Sequence, residues 1–323
     1  MRNAKLWIGA IATLAPLAVL ATPVLAQDTL KLAIGQRGNW EQSAPEIGSR
    51  AGIFKKHNLN LELTYTAGAG ETLQAVISGA TDIGTGVGTA GAMGAFQKGA
   101  PVRAIGNATV GSNDLYWYVK TDSPIKSLKD AKAETTIAFS TTGSSTNMLV
   151  LGFVKTYDLK AKPTKTGSPP ATLTAVMSGQ VDIGWAAPPF GLKEIEEGKI
   201  RIVGRGSEVP STRNQTVRLL IVNADKLKKD KAIIERFLTA FNESLEYMYA
   251  NPEALKHYKD FAGIPEDRAK KAIAEFYPKA GLDPYRIDGI DSVMADGVEL
   301  KFLKEPLTKD QLAEFFQVPV RKK

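Results

Sequence analysis

Residues 72–84, Thr-Leu-Gln-Ala-Val-Ile-Ser-Gly-Ala-Thr-Asp-Ile-Gly, return 100 residues later at 172–184 as Thr-Leu-Thr-Ala-Val-Met-Ser-Gly-Gln-Val-Asp-Ile-Gly, with nine of the thirteen positions identical. Each copy reads as one physical unit. Leu73, Val76 and Ile77, and again Leu173, Val176 and Met177, repeat at the spacing of one helix face. Gly79 and Gly179 stand just past the last periodic residue, where a helix stop often needs a positive φ. Segments 81–84 and 181–184 then read as short buried strands. The period is far longer than the roughly 20–50 residues of a solenoid. It predicts two similar α/β domains in one chain, with a cleft between them; a chance recurrence does not account for this identity.

The order of elements supports the same reading. In the first half the pattern predicts a strand at 30–34, a helix at 44–56, a strand at 61–66, the repeat unit, a helix at 89–98 and a strand at 102–108. The second half runs in step: strand 136–139, helix 146–157, a weaker strand at 164–166, the second unit, helix 190–197 and strand 200–203. Such alternation is the signature of parallel α/β layers. Two further β-rich runs, 115–120 and 217–222, flank the second half, so the chain is expected to cross between domains twice. This places a second domain at 121–216 and a first at 27–120 combined with 217–323. After residue 225 the pattern is helical, at 231–251, 252–261, 265–276 and 308–316, with breaks at Asn251-Pro252, Ile264-Pro265 and Asp283-Pro284.

The start of the chain reads differently. Arg2 and Lys5 precede an apolar run at 6–20, and Val24 and Ala26 suit the −3 and −1 positions of a cleavage site. This is the pattern of a secretory signal peptide, interrupted by Pro16 and too short for a spanning helix. Residues 1–26 are expected to be removed after Ala26, leaving a mature protein in a bacterial periplasm. The chain has no cysteine, which excludes disulfides, thiolate metal sites and a cysteine nucleophile. A net charge of +7 is spread along the sequence. It suits anionic small ligands or a negative membrane surface, and is too weak a signal for nucleic acid.

In open α/β sheets, ligands bind outside the carboxyl ends of the strands, where helix N-termini present free N–H groups. Four loops qualify. The first, 35–40, offers Gln36 and Arg37 as donors and Trp40 as a flat apolar face. The second, 85–91, contributes Thr85, Gly86 and Thr89. The third, Ser-Thr-Thr-Gly-Ser-Ser-Thr at 140–146, aims hydroxyls and backbone donors at one point without a formal charge; Ser140, Thr142, Ser144 and Ser145 are its candidates, although Ser/Thr before a helix also serve as N-caps. The fourth, 184–189, brings Trp185. None is a Walker or dinucleotide motif. His57 and His257 are far apart, no cluster has metal-ligand spacing and no nucleophile elbow occurs. Asp82 and Asp182 begin equivalent strands, which favours a structural role over a paired-carboxylate site. No catalytic residue, metal or cofactor is expected.

These stretches resemble the periplasmic solute-binding proteins of ABC importers, in the nitrate/sulfonate/taurine-type branch that shares its fold with thiamine-pyrimidine-synthase-like proteins. The resemblance lies in Gly-Ile-Phe-Lys-Lys-His-Asn-Leu at 52–59 with the following 61–63, in 73–84, in Ser-Leu-Lys-Asp at 127–130 leading into 137–145, and in 173–182. It covers the chain from the signal segment to about residue 260. It implies a type II periplasmic binding fold, two doubly wound sheets joined by two crossing hinge segments and closing on a ligand. It also implies a small organic anion of sulfonate, nitrate or carboxylate type as cargo, an ABC permease as partner, no nucleic acid and a monomer. An anion binder of that branch should show a pairing arginine in the cleft, for which Arg37 and Arg213 are the candidates. The rivals are an enzyme on the same scaffold, related to pyrimidine synthases or menaquinone-pathway dehydratases, and a sensor subunit that presents its ligand to a receptor.

Overall fold

The computed structural model describes residues 27–321; the expected signal segment and its cleavage point lie outside them. Ten strands form two sheets of matching order. The first contains β1 (Asp28–Ile34), β2 (Leu59–Tyr65), β3 (Ile83–Gly88) and β4 (Val102–Val110). The second half supplies β5 (Tyr116–Lys120), β6 (Thr136–Phe139), β7 (Lys162–Lys165), β8 (Gly184–Ala186) and β9 (Ile200–Arg205), before β10 (Thr216–Asn223) returns to the first sheet. The first sheet runs β2-β1-β3-β10-β4. In the second lobe β6 and β7 pair in parallel, a parallel bridge from Ile137 to Ile183 joins them to β8, and β8-β5-β9 completes the layer. The order β7-β6-β8-β5-β9 therefore repeats that of the first sheet.

The predicted parallel layers hold with one exception in each sheet. β10 lies antiparallel to both β3 and β4, and β5 lies antiparallel to both β8 and β9. Each reversed strand follows a crossing from the opposite lobe, so it enters its sheet from the far end. The strands also move the crossing point relative to the sequence reading. Residues 116–120, grouped there with the first domain, hydrogen-bond only into the second sheet. The crossing segments are thus 111–115 and 206–215.

The 100-residue repeat is visible atom by atom. The Lys31 N–H donates to Asp82 Oδ2 at 2.8 Å, and the Thr136 N–H donates to Asp182 Oδ2 at the same distance. These aspartates pin the entry of equivalent strands, as their position in the repeat suggested. Thr66 and Thr72 share a hydroxyl contact of 2.8 Å; Thr166 and Thr172 share one of 2.6 Å. Helices Ala69–Ile77 and Pro169–Met177 close over these pairs.

Behind the first sheet, helices Lys231–Ala250, Pro252–Ala262 and Glu266–Phe276 form an additional layer. It packs on the helices that cover the sheet, as where Phe54 of helix Ile53–Lys56 stacks on Phe237. The last of these helices also reaches the second lobe, where Arg268 pairs with Glu196 at 2.8 Å and Phe276 meets Tyr116. Helices Ala224–Lys229 and Ile290–Glu299 complete regions that the sequence pattern left unassigned. Among the described residues no helix is long and apolar enough to cross a membrane.

Candidate functional site

The carboxyl ends of β1, β3, β6 and β8 point toward one another, and their loops enclose a cavity of about 30 Å³. It is lined from the first lobe by Gln36, Glu41, Gln42 and Gly86, and from the second by Ser140, Ser144, Thr146 and Trp185, with Arg218 at its base. A volume near that of one or two waters means that the lobes are closed on each other. The closure is direct. The Gly70 N–H donates to Thr141 Oγ1 at 2.8 Å across the cleft, and the Tyr277 hydroxyl donates to the Pro188 carbonyl. A larger hollow, about 960 Å³, lies elsewhere, between helix Lys231–Ala250 and the segment 314–321. The small cavity is the better candidate, because loops of both lobes converge on it with buried polar groups.

The first lobe contributes charge. Arg218, on β10, donates Nη1 to Glu41 Oε1 at 2.7 Å and Nη2 to both oxygens of Asp114 at 2.6 Å. Asp114 belongs to the first crossing segment, so this arginine ties that segment to the first sheet. All three side chains are buried. Glu41 Oε2 and Arg218 Nε have no hydrogen-bond partner among the described residues. Burial pushes the Glu41 carboxyl up to about 7; Arg218 pulls it back, and the like charge of Asp114 raises it further. Burial alone would lower the Arg218 guanidinium, but Asp114 and Glu41 outweigh it and hold it above its ordinary value. Gln42 organises the rim: its Oε1 accepts the Gln36 N–H at 3.0 Å and its Nε2 donates to Glu41 at 3.2 Å. A Cβ at position 86, where φ is +76°, would stand 2.6 Å from that Oε1, so only glycine fits.

The second lobe contributes neutral donors. Thr146 Oγ1 is a hub that accepts the Ser140 N–H at 2.9 Å and contacts the Ser140 and Ser144 hydroxyls, each at 2.9 Å. Three hydroxyl hydrogens serve these two contacts, which leaves one uncommitted. Ser144 also caps helix Ser145–Thr156 by accepting the Asn147 N–H. The free N–H groups of that helix's first turn favour an acceptor or anionic ligand group here.

The residues expected from sequence divide into two sets. Gln36, Gly86, Ser140, Ser144, Ser145 and Trp185 line the cavity, and the Trp185 Nε1 hydrogen has no partner among the described residues. Thr85 and Thr89 are buried but do not line it; Thr89 donates to the Thr216 carbonyl. Trp40 is core, edge-on to Tyr249 and Tyr258 at 5.6 and 4.8 Å. Thr142 is exposed at the lobe seam. Neither arginine candidate lines the cavity: Arg37 is exposed and lies 4.8 Å over Phe261, and Arg213 is exposed and donates to the Ser207 carbonyl. Sequence reasoning missed Glu41, Asp114, Thr146 and Arg218. A signal existed for the last, an arginine inside the apolar run 217–222, since a charge in a buried strand must be paired.

The sequence profile of the NMT1/THI5 like family matches residues 47–255. The chain belongs to the NMT1/THI5 like family. Solved structures agree with the fold of this family member. The alkanesulfonate-binding protein SsuA of Xanthomonas axonopodis pv. citri, bound to MOPS, superposes with a TM-score of 0.75 at 16% identity, covering 91% of this chain and 100% of that one. The periplasmic aliphatic sulphonate binding protein SsuA of Escherichia coli gives 0.66 at 18% identity, over 91% and 94%. The periplasmic nitrate-binding protein NrtA of Synechocystis PCC 6803 gives 0.69 at 13% identity, over 90% and 86%. The type II periplasmic binding fold is thereby established. No curated protein matches the NMT1/THI5 like chain at the sequence level. Among its described residues no group of three or more His, Cys, Asp or Glu is arranged to hold a metal ion.

Proposed function

We propose that this protein is the periplasmic substrate-binding component of an ABC importer, a monomer that takes a small organic ligand between its lobes and hands it to a membrane permease. The observation that carries this is the cavity itself. Polar groups of both lobes converge on one small space, and direct interlobe hydrogen bonds hold it shut, as ligand capture by hinge closure requires. The acceptor end of the ligand, a carboxylate, sulfonate or similar group, meets the hydroxyls of Ser140 and Ser144 and the start of helix Ser145–Thr156. Trp185 offers it an indole face and a free N–H. Glu41 and Arg218 pair with each other at 2.7 Å, and the other polar groups of the lining are amides, hydroxyls and an indole, suited to holding a ligand.

Thermal-shift screening of anions, amines, zwitterions and neutral solutes, followed by native mass spectrometry of each hit, tests this reading. A ligand at about 100 times its Kd adds roughly 2.7 kcal/mol of stability. A 1:1 complex that returns its ligand chemically intact is expected. Conversion of the ligand would replace the binding-protein reading with an enzyme.

A further inference from the structure

We propose that the ligand pairs a cationic nitrogen, a primary ammonium or amidinium, with Glu41 Oε2, so that a ligand carrying only an anionic group is rejected. This rests on the binding-protein reading and adds the second end of the ligand. Among the described residues Arg218 is the only cationic side chain lining the cavity, and both its amino groups are taken. One amino group is held by Glu41 and the other by both oxygens of Asp114. With two carboxylates on one guanidinium, the charge centre carries an excess negative charge when Glu41 is ionised. An anion entering the cavity meets that excess before it meets a free cation. A protonated nitrogen meets the reverse. Glu41 is 2% exposed, and its Oε2 has no hydrogen-bond partner among the described residues. A buried carboxylate oxygen lacking a donor is costly to leave so, and an N–H of the ligand removes the cost.

The rest of the cavity fits the same division. Hydroxyl and indole donors sit on the second lobe, at Ser140, Ser144 and Trp185, while the first lobe carries the unpartnered acceptors Glu41 Oε2 and Asn39 Oδ1 beside the unpartnered Arg218 Nε. A ligand with an N–H cation at one end and an acceptor at the other satisfies both. The elevated Glu41 carboxyl is consistent with a site that waits for such a partner and holds a proton in its place.

The test uses the mature protein and a matched set of C2–C6 straight-chain solutes in four forms: alkylammonium, ω-amino acid, carboxylate and alkanol, with the corresponding amidines. Affinities are measured by calorimetry at pH 6 and pH 8. Ammonium- or amidinium-bearing members should bind, and each should tighten about tenfold from pH 6 to pH 8 as the proton on Glu41 ceases to compete. The other groups facing Glu41 are Arg218 on β10, Asp114 on the crossing segment, Gln42 beside it, and Tyr249, Tyr258 and Tyr277 from the C-terminal part. Burial holds the three tyrosines protonated across this range, and Arg218 stays charged. An anion-only ligand would show the opposite slope, weakening as Glu41 ionises. E41Q should cost the nitrogen-bearing ligands at least tenfold and flatten their pH dependence. The wild-type slope needs no variant, so a misfolded E41Q would not shelter the idea. Tight binding of a carboxylate without nitrogen, a flat or inverted slope, or no binding by any nitrogen-bearing member overturns the inference. Intact 1:1 binding of an anion would do so while leaving the binding-protein reading in place.

Discussion

At one point of the closed seam glycine meets glycine, and Gly91→Ala tests what that contact does. Gly91 lies in the first turn of helix Thr89–Gln97 on the first lobe, facing Gly143 on the second. A Cβ at position 91 would stand 2.2 Å from the Gly143 carbonyl oxygen and 2.9 Å from its Cα and carbonyl carbon. Real Cβ contacts do not fall below 3.0 Å, so the lobes must part by nearly an ångström at this point. The neighbour that must yield is backbone, held at a φ of +83°, rather than the end of a flexible side chain. Overpacking of this kind costs about 1–3 kcal/mol, all of it in the closed state. Ligand affinity should therefore fall about 5- to 150-fold. The fold should not suffer, because alanine in place of glycine in a helix gains up to about 1 kcal/mol. The expected signature is a split: an unliganded melting temperature unchanged or raised by a few degrees, a weaker Kd by calorimetry, and a larger radius of gyration by X-ray scattering. Wild-type affinity in Gly91→Ala, or a sharp loss of unliganded stability, would refute the reasoning.

Three further outcomes follow from the site. Glu41 holds its proton more tightly in the folded chain than in the unfolded one, where a carboxyl titrates near 4.5. Its contribution to stability is therefore greatest below about pH 4.5 and is lost as pH rises toward 7; urea melts of wild type and Glu41→Gln at pH 5 and pH 8 should differ in slope by on the order of 2–3 kcal/mol, wild type losing more. Thr146→Val keeps the shape of the hydroxyl hub but orphans the buried Ser140 N–H, which should cost about 1–3 kcal/mol in thermal or chemical denaturation. Tyr277→Phe removes the hydroxyl that donates to the Pro188 carbonyl across the cleft; affinity should drop about 2- to 13-fold, with circular dichroism unchanged.

The fold was legible because its largest signals are periodic and local. The repeat announced itself in both the helix face and the aspartate that starts each strand, and the aspartates perform matching hydrogen bonds. The residues at 115–120 and 217–222 were rightly read as strands, yet their sheet membership was not readable. A strand that crosses to another lobe carries the same apolar pattern on either side of the crossing, and only its partners decide where it belongs.

The site was legible in its neutral half and hidden in its charged half, and the reason is physical. A hydroxyl cluster before a helix is contiguous in sequence, so Ser140 and Ser144 could be found together. The charge centre joins residues 41, 114 and 218, which only the tertiary fold unites. Arginine was sought in glycine-rich loops, where Arg37 lies, or near the crossing, where Arg213 lies. Both can reach water and do. The arginine in the cavity sits instead in a strand whose eight residues are all buried, where no exposed rotamer was open to it. A buried guanidinium must be matched by acids at the time of folding, and Glu41 and Asp114 supply that match before any ligand arrives. Finding the arginine thus changes its meaning: two carboxylates already match its charge, and the unpartnered groups around it include the second oxygen of Glu41.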